Sequence, residues 1–209
     1  MKIGILGAGN VGGALGEAWT RHGHEVYFGV RHPEAANVLS VLKKCGPRAR
    51  AETPADAVHS SDVIVNALAW PATKSVLESL DLKGKILLDC TNPLLPDLSG
   101  LEVGTTNSGG ELVAAWAKGA RVVKIFNSTG AGNMVNPMYQ GKAAPILYCG
   151  DDAEAKTTAA SLARIVGFDP VDAGPLSNSR LLEPLAQLWI SLALKGGMGR
   201  DFAFQIVKR

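Results

Sequence analysis

Short apolar runs alternate along the chain with longer segments whose apolar side chains recur every three or four positions. The first pattern predicts buried strands and the second amphipathic helices. Residues 2–6, 25–30, 62–68, 85–90, 121–126 and 145–149 read as strands, with a weaker one at 49–51 and a last one at 168–172. Between them, residues 10–22 place Val11, Leu15, Ala18 and Trp19 on one helical face, and Gly23 follows as a stop. A second helix is expected over 33–44, with Pro33 near its first turn. Thr53-Pro54 and Pro71 open two more helices. Ser108 and Glu111 have capping-box spacing ahead of a helix over 112–118, and Asp151 and Glu154 repeat it ahead of one running to about residue 165. A long apolar helix over 181–194 ends at Gly196-Gly197-Met198-Gly199.

Strands alternating with helices predict an α/β fold: a doubly wound, mostly parallel sheet covered on both faces. No repeat, low-complexity tract or polar linker divides the chain, so residues 1–209 are expected to form one domain. Its C-terminal third would extend the same sheet and add a packing helix. At 46% hydrophobic residues and a formal net charge of +2, the composition excludes disorder and a basic nucleic-acid surface. No apolar run approaches the roughly 20 residues of a membrane-spanning helix. The three cysteines form no C-x-x-C pair, which leaves no zinc or redox motif and fits a reducing compartment. The short apolar start lacks a signal-peptide core, so a cytoplasmic location is expected.

Gly7-Ala8-Gly9-Asn10-Val11-Gly12 matches G-x-G-x-x-G between a predicted strand and a predicted helix. In that setting the first glycine permits a tight turn, the second lets backbone approach a pyrophosphate, and the third lets helix and strand pack closely. The helix N-terminus then offers amide donors and a positive dipole end to the phosphates. An NAD site would place an acid about 20 residues further on, for the ribose 2′-hydroxyl. Here Arg31 stands nineteen positions past Gly12, within Gly29-Val30-Arg31-His32. A guanidinium clamps a 2′-phosphate that a carboxylate would repel, and His32 adds a second donor. The expected cofactor is NADP(H), a Rossmann-like assignment.

Ligands of open α/β sheets lie beyond the carboxyl ends of the strands. Besides the glycine turn and Arg31, those ends carry Leu68-Ala69-Trp70-Pro71, Cys90-Thr91-Asn92-Pro93-Leu94 and Asn127-Ser128-Thr129-Gly130-Ala131. Leu68 and Trp70 offer apolar surface; Asn92, Asn127, Ser128 and Thr129 offer neutral hydrogen bonds. Trp70 reads equally well as a half-buried packing residue, and Thr91-Asn92-Pro93 as a simple turn. No strand end carries a residue placed to move a substrate proton. Lys124 lies inside a strand, Asp89 precedes its loop with a structural role, and His22, His24 and His59 fall near helix ends as surface residues. We therefore expect no catalytic side chain and no metal ligand set. Hydride exchange between two carriers needs chiefly ring stacking, whereas alcohol dehydrogenation needs a general acid or base. About 80 residues follow the sixth strand, some of them strand-like. That leaves no room for the large helical domain, roughly 100 residues or more, of many hydroxy-acid and imine reductases.

The run Asp172-Ala173-Gly174-Pro175-Leu176-Ser177-Asn178-Ser179-Arg180-Leu181 and the closing Gly197-Met198-Gly199 are long and unusual. Together with Gly7 to Gly12, Gly29-Val30-Arg31, Ala67-Leu68-Ala69-Trp70 and the segment 123–133, they resemble the NADPH-dependent reductases of the deazaflavin coenzyme F420 nearly end to end. The same residues are similar to the cytosolic domain of six-transmembrane ferric reductases. The resemblance implies an NADP(H)-dependent oxidoreductase exchanging hydride with F420, a flavin (FMN or FAD) or a ferric acceptor. It implies a phosphate loop at Ala8 to Gly12, a 2′-phosphate clamp at Val30-Arg31, and nicotinamide contacts at Leu68, Trp70, Asn92 and Ala131. The family places a hydroxyl residue before the arginine, where this chain has Val30, and a further base downstream, where it has Ala35 and Ala36. Two other readings stand beside this one: a non-catalytic NADPH-binding redox-sensing module, and a small carbonyl or imine reductase completed by a neighbouring subunit. Trp189, Ile190, Leu192 and Leu194 would form a homodimer face or an internal core helix.

Overall fold

The computed structural model describes residues 1–207 and 209. The elements follow in the order β1 (Lys2–Leu6), α1 (Asn10–Arg21), β2 (Glu25–Gly29), α2 (Ala36–Cys45), β3 (Ala49–Glu52), α3 (Pro54–His59), β4 (Val63–Asn66), α4 (Trp70–Glu78), β5 (Ile86–Asp89), α5 (Gly109–Trp116) and β6 (Arg121–Lys124). The remainder comprises α6 (Ala131–Val135), the hairpin β7 (Met138–Tyr139) and β8 (Lys142–Ala143), then β9 (Pro145–Gly150), α7 (Ala153–Val166), β10 (Asp169–Asp172) and α8 (Ser179–Leu194). Eight strands form one sheet in the order β10-β9-β6-β5-β4-β1-β2-β3. Every pairing from β3 to β6 is parallel, β9 runs antiparallel to β6, and β10 runs parallel to β9.

Both faces of the sheet are covered, which explains why its strands read as unbroken apolar runs. On one face Ile3, Ile5, Val63, Val65 and Leu88 pack with Trp19 of α1 and Ala159 of α7. On the other Leu6, Ile64 and Leu87 pack with Leu77 of α4 and Val113 of α5. The alternation inside β4, Val63 and Val65 one way and Ile64 the other, is the two-residue period of a strand sandwiched between helices.

The predicted elements are present, with instructive shifts at their ends. Helix α2 begins at Ala36, so Pro33 lies in the preceding turn and not in the first helical turn. Helix α7 is capped by Asp152, whose side chain accepts from the Ala155 amide, in place of Asp151. Asp151 instead accepts from the Leu176 amide at 2.9 Å and ties down the chain entering α8. Helix α8 starts two residues early, at Ser179, and carries Pro184 inside it. The caps read at Thr53 and Ser108 are formed: each side chain accepts from the amide three residues on. His24 is half-buried where a surface residue was expected.

Candidate functional site

The order 3-2-1-4-5-6 reverses between β1 and β4, and this switch point opens a crevice at the carboxyl ends of the strands. Leu6 pairs in register with Gly29 on one side and Asn66 on the other. The chain leaving β1 is therefore flanked by the ends of β2 and β4. Gly7 stands at φ 99°, and a Cβ there would lie 2.8 Å from the Ala67 carbonyl oxygen. At Gly12 a Cβ would lie 2.3 Å from the Gly7 carbonyl oxygen and 3.1 Å from Ile5. Both glycines are thus required by the protein itself. Gly9 is different: a Cβ there would meet nothing within 4 Å. The space before Gly9 is open, as an approaching pyrophosphate requires.

Gly9 is the N-cap of α1, with no side-chain cap and no acidic residue in the first turn. The leading amides of this twelve-residue helix are left to an external acceptor. Gly7 N donates to Gly29 O at 3.1 Å, which binds the turn to the end of β2 and sets Arg31 two residues beyond the contact. Arg31 is exposed, and among the described residues it pairs with no carboxylate. His32 is engaged locally, with Nδ1 3.6 Å from Glu34. Val30 packs half-buried against the core. A doubly phosphorylated adenosine half fits this donor set: open amides, a free guanidinium, and no acid at the end of β2.

A groove of about 870 Å³ begins at the turn and runs between α2 and α6 towards Trp189 and Arg200. It joins Ala8, Gly9 and Asn10 to Ala131, while Val11, Arg31, Leu68, Trp70 and Asn92 lie outside its lining. Leu68 and Trp70 are half-buried against the second core. The Trp70 indole donates to Glu102 at 2.9 Å and sits 5.3 Å from the Trp116 ring. Asn92 is tied to the next strand end: its amide donates to Asn127 O at 2.9 Å, and the Asn127 amide donates to its Oδ1 at 3.0 Å. On α8, Trp189 is buried by a stacked Phe202 at 5.1 Å, so it faces its own chain, while Leu181, Leu188 and Leu194 are exposed.

The sequence reading missed an ionic cluster beneath these loops. Lys124, fully buried, places Nζ 2.7 Å from Asp89 and 2.8 Å from Glu183. Burial alone would lower the ammonium's pKa, but the Asp89 and Glu183 carboxylates outweigh it and hold it above the usual lysine range. Glu183 also accepts the amides of Gly109 and Gly110, each at 2.9 Å, and so caps α5 from α8. Asp89 accepts from the Asn66 amide at 2.9 Å and the Thr91 hydroxyl at 2.8 Å. The available signal was a lysine inside Val122-Val123-Lys124-Ile125-Phe126 and a glutamate inside an apolar helix, both of which demand buried partners.

The fold and the site together define a dinucleotide-binding α/β oxidoreductase. Residues 2–93 match the model of the family described as NADP oxidoreductase, coenzyme F420-dependent. The F420-dependent NADP reductase of Methanocaldococcus jannaschii is 30% identical over 93% of this chain and 93% of its own. A crystal structure assigned to an F420-dependent NADP reductase from Arthrobacter sp. FB24 superposes with a TM-score of 0.89 at 32% identity, each chain covered entirely. The metalloreductase STEAP3 of Rattus norvegicus is 32% identical over 88% of this chain, which spans 36% of that longer protein. The chain belongs to the coenzyme F420-dependent NADP oxidoreductase family.

Proposed function

We propose that this NADP-dependent oxidoreductase holds NADP(H) across the switch-point crevice and exchanges hydride with a deazaflavin such as F420 or with a flavin, a ferric acceptor being served by the reduced flavin, which passes one electron to each of two ferric ions. The observation that carries the reading is the pairing of the uncapped α1 N-terminus with Arg31 through the Gly7–Gly29 hydrogen bond. The turn Gly7 to Gly12 receives the pyrophosphate, and Arg31, with Val30 and His32 beside it, receives the 2′-phosphate. Leu68, Trp70, Asn92 and Ala131 surround the nicotinamide end. When bound, the dinucleotide supplies a hydride to the acceptor ring, and water supplies the accompanying proton. The protein's task is then to align the two rings and keep water from between their faces, while the acceptor's far edge stays open to the solvent that gives the proton. The names of the archaeal and Arthrobacter relatives support the F420 acceptor, and that of the metalloreductase supports a ferric one. Among the described residues no helix is long and apolar enough to cross a membrane. The same reading takes residues 1–209 as one domain in the cytoplasm, paired as a homodimer through the α8 residues Ile190, Leu192 and Leu194, with Trp189 beside them covered by its own chain's Phe202.

The test is to incubate the protein with NADPH and, separately, F420, FMN, FAD and a ferric chelate, following nicotinamide absorbance. Turnover with F420 is expected. NADPH binding without turnover on any acceptor would favour the redox-sensing module, and turnover only on small ketones or imines would favour the third reading.

A further inference from the structure

The contacts around Lys124 close into a ring. Its ammonium donates to the Thr91 carbonyl at 2.7 Å, and the next residue is Asn92. Asn92 and Asn127 exchange hydrogen bonds at 2.9 and 3.0 Å. The Asn127 amide also donates to the Leu182 carbonyl at 3.1 Å, and the residue after Leu182 is Glu183, which returns to Lys124 at 2.8 Å. The ring is anchored by Asp89 within the sheet and by the Gly109 and Gly110 amides at the start of α5. It spans the ends of β5 and β6 and the first turns of α8.

Such a buried charge cluster is a poor source of stability, because well-packed apolar side chains of similar volume serve as well or better. Its particular product here is geometry. Removing the ammonium would take one contact each from Thr91 and Glu183, the neighbours of the two groups that hold the Asn92–Asn127 amide pair, and leave two like charges, Asp89 and Glu183, without the cation between them. Gly9 and Arg31, the residues proposed to meet the phosphates, follow β1 and β2, and neither is a member of this ring. Hydride transfer, in contrast, is sensitive to misplacement of about 1 Å.

We propose that Lys124 is a positioning residue: by holding the Asn92–Asn127 pair it fixes the nicotinamide end of the cofactor, and so governs transfer while leaving the grip on the phosphates unchanged. This rests on the proposed placement of the nicotinamide at Asn92.

The experiment compares the wild type with Lys124→Met, Asn127→Ala and the double variant. Calorimetry with adenosine 2′,5′-bisphosphate reads the phosphate half alone. The fluorescence anisotropy of bound NADPH reads the order of its nicotinamide ring, and kcat with F420 reads transfer. Lys124→Met should keep the bisphosphate affinity within about twofold, lose the nicotinamide anisotropy and lower kcat by about 10- to 100-fold. Asn127→Ala should do the same, and the double variant should be no worse than either single one. Wild-type anisotropy and kcat in Lys124→Met, a parallel loss of bisphosphate affinity, or additive losses in the double variant would each overturn the proposal. Should Lys124→Met not fold, Asn127→Ala, which leaves all three charges in place, decides alone: loss of nicotinamide order supports the proposal and its retention overturns it. A wild type that binds NADPH but reduces no acceptor would refute the proposed function, and the anisotropy would still judge Lys124.

Discussion

Replacing Arg31 by alanine tests the cofactor assignment most directly. Arg31 follows the end of β2, two residues past the Gly29 carbonyl that accepts from the Gly7 amide at 3.1 Å. Among the described residues its guanidinium forms no ion pair that would have to be broken before it meets a ligand. A hydrogen bond to a charged group contributes about 1.5–3 kcal/mol, and a bidentate guanidinium–phosphate contact is among the stronger of these. The side chain is exposed and therefore screened by water and salt, which places the loss near the lower bound. Arg31→Ala should then weaken NADPH binding by about 1.5 kcal/mol, or roughly tenfold, while NADH binding stays nearly constant. Calorimetric titrations of both variants with both coenzymes, at two salt concentrations, give the comparison. The NADPH penalty should shrink as salt rises. Equal losses for NADPH and NADH, or no loss for either, would refute the placement of the 2′-phosphate.

Gly9→Ala should leave the thermal midpoint unchanged, because its Cβ enters open space, yet it should weaken both coenzymes; Gly9→Val should abolish binding, and retained affinity would dismiss the turn as the phosphate cradle. Gly12→Ala, whose Cβ would lie 2.3 Å from a backbone oxygen, should by contrast lower the thermal midpoint before any ligand is added. Glu111 is held below its ordinary pKa of 4.5, first by hydrogen bonds from Arg180 and then by Ser108, against an opposing effect of burial. A depressed carboxylate stabilises the fold above its unfolded pKa, and that stability is lost as pH falls through 4.5 and below. Glu111→Gln should therefore flatten the acid limb of the stability curve measured by denaturant titration, and an unchanged limb would exclude this pair as its source.

The turns, caps and strands were legible because their signals are local. The Gly7–Gly12 turn, the Thr53 and Ser108 caps and the alternating runs each specify their structure within a few residues. The end of β2 was read one residue late, at 30 where the strand stops at Gly29, in register with Leu6 of β1. The ionic ring was not legible, since Lys124 and Glu183 are 59 positions apart and meet only after α8 folds across the sheet. Asp151 and Asp152 were indistinguishable for a related reason. Both carry the same capping chemistry, and the long-range Leu176 amide decides which of them caps α7. Trp70 could be read both ways because its partner Glu102 lies in a loop with no periodic pattern.

Both margins of the eight-stranded sheet are blunt. Beyond β2 it stops at β3, four residues long with Arg50 exposed, and beyond β9 it stops at β10, where Pro170 has no amide hydrogen to offer a newcomer. Neither border can readily recruit a foreign strand. The two borders of this sheet are therefore poor places for a second copy to add a strand, which leaves helices and loops as the surfaces open to contact.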